Sequence, residues 1–191
     1  MKTSLILASV CVAGLAACDS PTPPSYSAQD VQNISNEADR VFELPDTAIG
    51  DLPSGSVSYS GHAGGNVSGD ADGSVIGDMT MSVNFAGGGI TGTIDNLNLI
   101  DEDDVPSQLL GGALTISGSQ NAGVLTATAT GNLDAVGDES VRGSSSVSLN
   151  LSGNVLTDVN DGDTVAGQLS GSGTGDFDIN VYDGGFFGSS N

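Results

Sequence analysis

Acidic clusters and a single histidine are the chemically suggestive residues of this sequence. Asp70-Ala71-Asp72-Gly73, Asp101-Glu102-Asp103-Asp104 and Asn160-Asp161-Gly162-Asp163 set carboxylates among small residues, and flexible acidic loops are what supply calcium with its roughly six to eight oxygen ligands. Asp70, Asp72, Asp161 and Asp163 are the metal candidates. None of the clusters completes a twelve-residue calcium loop, because the twelfth position from Asp70 is Met81, where a bidentate carboxylate is required. The plainer expectation is acidic loops that face water and keep a domain in solution. His62 is the only histidine and is expected to be a solvated turn residue at the end of a strand. No G-x-S-x-G elbow accompanies it. Catalytic residues are therefore expected to be none, the protein is expected not to be an enzyme, and no cofactor is implied.

The N-terminus carries a different chemistry. Lys2 precedes SLILASVCVAGLAA, an apolar run shorter than the roughly 20 residues of a bilayer-spanning helix and followed by small residues, as in a secretory signal peptide. Leu15-Ala16-Ala17-Cys18 resembles a bacterial lipobox. That resemblance implies cleavage before Cys18 and lipidation of its sulfur, so residues 1–17 are expected to be a leader and the chain to be anchored by lipid rather than to span. More than one acyl chain holds a protein stably to a membrane, at about 0.8 kcal/mol per buried CH₂. Cys11 leaves with the leader and Cys18 is alkylated, so neither a thiol nor a disulfide remains to stabilise the fold. The expected address is the outer membrane, at the cell surface; Asp19 resembles an inner-membrane retention signal of enteric bacteria, so inner-membrane retention stays open as the alternative.

Charge narrows the partners. The 191 residues hold 24 acids against three basic residues, for a net charge of −21. Phosphate recognition needs clustered Lys and Arg, so a nucleic-acid partner is excluded. Lys2 is the only lysine, and the expected mature chain keeps only Arg40 and Arg142 as basic residues. Such a surface repels anions and attracts basic partners over about 8 Å at physiological salt.

Three segments position these groups. DSPTPPSYS after Cys18 reads as a semi-extended linker holding the domain off the membrane. Val31, Ile34, Ala38 and Val41 then recur at helical spacing, behind a Ser27/Asp30 capping box, and predict a helix over 28–43. Residues 18–53 are thus expected to be a lipidated tether with a short helix, ending in a loop marked by Pro45 and Pro53. From residue 54 to 191 the period changes to two. Eight strands are expected over 55–62, 75–85, 89–99, 112–118, 123–133, 141–152, 164–172 and 175–183, joined by Gly, Asp and Asn turns. Val141, Val147, Leu149 and Leu151 oppose Arg142, Ser146, Ser148 and Asn150, and Phe177, Ile179 and Val181 oppose Asp176, Asp178 and Asn180.

A membrane barrel puts its apolar parity outward between aromatic girdles, and this chain has only three Tyr and five Phe. The expected fold is all-β: a small soluble antiparallel up-and-down β-barrel with its apolar parity inward. A β-sandwich uses the same alternation and stays open as the alternative. Gly92, Gly131, Gly143, Gly167 and Gly171 fall on the apolar parity, where they let a sheet curl or admit a bulky neighbour.

The strands at 54–65 (SGSVSYSGHAGG), 77–99 (GDMTMSVNFAGGGITGTIDNLNL) and 170–188 (SGSGTGDFDINVYDGGFFG) resemble the β-barrel domain of transferrin-binding protein B and related Slam-exported surface lipoproteins of Gram-negative bacteria. Asn84-Phe85 followed by Ile90-Thr91-Gly92-Thr93-Ile94 is the most specific match. Gly184, Phe186 and Gly188 match the family's G-x-F-x-G strand, after which the sequence departs from it. The resemblance implies a surface lipoprotein whose barrel binds a protein or a small nutrient-related ligand without catalysis. The sequence has no room for the handle domain that makes much of the host contact in larger members, so transferrin is not carried over as a ligand. The alternative reading is a structural or adhesive acidic coat lipoprotein, with calcium held by its loops.

Overall fold

The computed structural model describes residues 22–136, 141–159 and 162–190. A helix, α1 (Ala28–Phe42), and a 3-10 turn (Ile49–Asp51) precede eight strands: β1 (Ser56–Gly69), β2 (Gly73–Asn84), β3 (Gly89–Ile100), β4 (Pro106–Asn121), β5 (Val124–Ala135), β6 (Gly143–Asp158), β7 (Gly162–Gly175) and β8 (Ile179–Ser190). Each strand pairs antiparallel with the next, and β8 returns to β1, so the sheet is a closed barrel without a free edge. Closure decides against the sandwich.

Alternation fills the interior. Met79, Met81 and Val83 of β2 face inward, in register with Ile94, Gly92 and Ile90 of β3. Tyr59, Leu114, Ile116, Leu125 and Phe186 complete a packed core. The opposite parity, with Ser58, Ser60, Thr80, Ser82, Thr93, Thr128, Ser148 and Asn150, faces outward. This polarity is the reverse of a transmembrane barrel, whose lipid-facing parity must be apolar. Gly92 lies where a Cβ would sit 2.1 Å from the Thr80 carbonyl oxygen, and at Gly167 a Cβ would lie 2.8 Å from the Phe186 ring. Two strands curl together at the first, and an aromatic fills the second. Gly143 behaves differently: it opens β6 at φ +93 against Asp176.

The strands run longer than their periodicity predicts. β1 continues past its expected end at His62 through Ala63-Gly64-Gly65-Asn66, expected as the start of a loop, because this stretch pairs with both β2 and β8. β4 begins at Pro106 and bends at Gly112 (φ +91). The last strand is displaced: Phe177 lies in the turn before it and plugs the core, while Gly184–Gly188 pair with β1 and β7. The 84–89 hairpin is fixed by Asn84, whose Oδ1 accepts from the amides of Ala86 and Gly87 at 3.0 and 2.8 Å, and by Gly88 at φ +74.

The helix forms where expected. Ser27 Oγ accepts from the Asp30 amide while the Asp30 carboxylate accepts from the Ser27 amide, which completes the capping box and holds the Asp30 carboxyl below its ordinary pKa. Its apolar stripe does not belong to a tether. Val41, with Ile34, Ala38 and Leu44 around it, packs on Leu156, Ala166 and Phe187, outward-facing residues of β6, β7 and β8, to form a second small core outside the barrel.

Flanking segments are seated as well. The amide of Leu109 donates to the Thr22 carbonyl at 3.0 Å, and the Ser25 amide donates to Asn98 Oδ1 at 2.8 Å. The prolyl segment expected as a free linker is therefore fixed to the barrel from residue 22 onward. Beyond the last residue of the helix, the Thr157 amide donates to Pro45 and the Thr47 amide to Val155. This short bridge satisfies the part of β6 that extends past the start of β5.

Candidate functional site

The barrel interior is filled by side chains, so the concave surface lies outside it. A groove of about 280 Å³ runs between α1 and the wall made by β1, β2 and β8. Ile34, Ala38 and Phe42 form its helical side; Ile76 and Phe187 form its apolar floor. Gly185 lets the helix approach, since a Cβ there would lie 2.6 Å from the Phe42 ring. The rim is polar, with Asn66 and Asp183. Asp183 has φ +48 at a bulge of β8, where the pairing with both β1 and β7 shifts register.

His62 stands at one end of this groove. It is half-buried and not in a turn: it lies mid-strand in β1, opposite Asp78 and Phe187, because β1 continues seven residues past it. Its ring is 5.8 Å from that of Phe187 and meets Tyr26 edge-on at 6.1 Å. His62 Nδ1 lies 3.4 Å from both Asp78 Oδ1 and the Tyr26 hydroxyl, and Tyr26 donates to Asp78 Oδ1 at 2.7 Å. Burial lowers the His62 pKa, and the Asp78 charge opposes that shift. Burial first, and then the bond to Asp78, push the Tyr26 phenol far above its ordinary range. At neutral pH both groups are uncharged beside one carboxylate. The contacts among Tyr26, Asp78 and His62 hold the N-terminal segment in place.

Asn96 and Asn98 extend that role. Asn96, at φ +50 in a bulge of β3, donates to Asp78 Oδ2 at 2.9 Å and accepts from Ser25 Oγ at 2.6 Å. Asn98 is buried and exchanges bonds with Ser25. The helix is tied at its other end by Arg40, which bonds Glu37 at 2.6 and 3.0 Å and pairs with the buried carboxylate of Asp158 on β6. These bonds raise the Arg40 pKa further above its ordinary value.

The acidic candidates sit elsewhere. Asp70 and Asp72 flank the β1–β2 turn and share a surface depression with Asp101, Glu102 and Asp103 of the β3–β4 loop. Two of these carboxylates serve the backbone. Asp70 Oδ2 accepts from the Asp178 amide at 2.7 Å, and Asp101 Oδ1 accepts from Asp103 and Val105, both at 2.9 Å. Asp163 lies within β7, paired with Thr157, rather than in a loop, and its charge adds to the burial that raises the Tyr59 pKa. Among the described residues no three His, Cys, Asp or Glu side chains form a metal-holding group. Asp161 and Cys18 lie outside the described residues.

The groove was missed in the sequence, although it left a signal. Val155-Leu156, Val165-Ala166 and Phe186-Phe187 are adjacent apolar pairs in strands that otherwise alternate; one member of each enters the barrel and the other meets the helix region. Three such breaks on neighbouring strands mark an outer face that must be covered. Comparison with known proteins returns nothing: no protein-family model, no curated protein and no solved structure matches the chain.

Proposed function

We propose that this chain is a lipid-anchored, non-enzymatic binding protein of the bacterial cell envelope, which takes a protein segment or a small nutrient-related ligand in the groove beneath α1. The observation that carries this reading is the concave surface itself: a groove with aromatic walls and a polar rim outside a barrel whose interior is filled. The lipobox ending at Cys18 and the likeness of the strands to transferrin-binding protein B barrels support the anchored, surface-facing part of the reading. The groove brings Asp183 and neither Lys nor Arg to its lining, which favours neutral or cationic ligands over anions.

Ser35 of α1 is exposed and lines the groove, so Ser35→Trp fills it without entering either core. Saturable binding of a partner by the intact lipoprotein, retained in salt and lost in Ser35→Trp, supports the proposal. Binding that salt abolishes and Ser35→Trp leaves intact supports the acidic coat instead. Protease treatment of intact cells tests the address: a protein cleaved only after permeabilisation is not at the surface.

A further inference from the structure

We propose that the barrel stands on the lipid with a defined end down: the end formed by the β1–β2, β3–β4 and β7–β8 turns faces the membrane, and the end formed by the β2–β3 and β4–β5 turns projects away. This rests on the reading of Cys18 as the acylated residue. The geometry comes from the seated N-terminal segment. Thr22 accepts from Leu109, three residues into β4 from Pro106, and Ser25 and Tyr26 are fixed to Asn98, Asn96 and Asp78. Four Cα-to-Cα steps join Cys18 to Thr22, and a fully extended chain spans at most about 3.6 Å per step, so Thr22 can lie no more than about 14 Å from the anchored cysteine.

The opposite end is out of that reach. The 16-residue β4 is about 50 Å long at a rise near 3.3 Å per residue, and the usual strand tilt still leaves the two ends of the barrel several tens of ångströms apart. From Thr22 the chain crosses the wall as α1 and the bridge at Asp46–Leu156, reaching the far end where Leu52 lies 3.0 Å from the Cβ position of Gly123. A free 35-residue tether would permit any orientation; a segment fixed from residue 22 does not.

The lipid-facing end is the acidic one. Asp70, Asp72, Asp101, Glu102 and Asp103 line its rim, and anionic headgroups repel that rim over about one Debye length, about 8 Å at 0.15 M salt. The domain therefore stands off the surface on its short leash instead of lying against it. The membrane-distal end bears exposed Ile49 and Val124, the surface first met by an approaching macromolecule.

Because the acylated chain keeps no free thiol, single cysteines can be labelled in the full-length lipoprotein. Glu102→Cys reports the proposed lower end and Ala86→Cys the upper; both residues are exposed turn positions. The labelled proteins are reconstituted in phosphatidylcholine vesicles carrying a headgroup-attached energy acceptor, after mass spectrometry of the Cys18 peptide. Several-fold stronger transfer from Glu102→Cys than from Ala86→Cys is the expected result. Equal or reversed transfer with Cys18 acylated overturns the orientation alone. An unmodified Cys18 overturns both the orientation and the lipoprotein reading.

Discussion

Phe186 and Phe187 are consecutive residues of β8 that belong to two separate cores. Phe186 is fully buried inside the barrel, whereas Phe187 is covered from outside by α1 and borders His62. The barrel wall between them is one backbone thick. The helix-covered outer core and the barrel core on the inner face are therefore separable by mutation.

Phe186→Ala should lower global stability by about 3–5 kcal/mol, because the filled interior cannot close around the lost ring. Phe187→Ala should act locally. Amide exchange of α1 is expected to accelerate more than that of β2 and β3, which hydrogen exchange read by mass spectrometry resolves.

Arg40→Met leaves the Asp158 carboxylate buried without its guanidinium partner. We expect a loss of about 2 kcal/mol in urea denaturation, below the range for fully buried pairs because Arg40 is partly exposed. The double variant Arg40→Met/Asp158→Leu should recover most of it, since it removes the buried carboxylate together with the guanidinium.

His62 gives stability a pH dependence of known sign. Its folded pKa is lowered by burial, so below the unfolded value near 6.5 the unfolded chain binds the proton more readily. Its contribution is complete above that value and is lost as pH falls from there through the folded pKa. His62→Gln should flatten the part of the stability profile that lies between pH 7 and pH 5, relative to the unsubstituted protein.

Asp70 separates a backbone staple from a metal ligand. Asp70→Asn keeps an acceptor for the Asp178 amide, while Asp70→Ala removes it. The alanine variant should be less stable than the asparagine variant by about 1 kcal/mol in the same metal-free buffer. Equal stabilities would show that the bond contributes nothing.

Gly92→Val should prevent closure between β2 and β3, because any Cβ there meets the Thr80 carbonyl at 2.1 Å and backbone cannot move aside cheaply. Loss of the folded circular dichroism signal, or a midpoint depressed beyond that of Phe186→Ala, is the expected outcome.

Local rules carry much of this protein. Period-two alternation from Val57 to Val181, turn residues such as Asn84 and Gly88, and the Ser27/Asp30 box encode the strands, hairpins and helix before any long-range contact forms. Gly92 and Gly167 encode curvature because only a missing side chain permits those approaches. Inward polarity is legible too, since a chain so poor in aromatics and rich in Ser and Thr cannot present its outer parity to lipid. The tertiary structure alone decided where the helix went. Its stripe had a face but no address until Leu156, Ala166 and Phe187, distant in sequence, were brought side by side by pairing of β6, β7 and β8. The same non-local pairing extended β1 past His62, gathered Tyr26, Asp78 and Asn96 around it, and turned a linker into a strap. Side-chain periodicity is a property of neighbours along the chain; a groove between a helix and a barrel wall exists only once the sheet has closed.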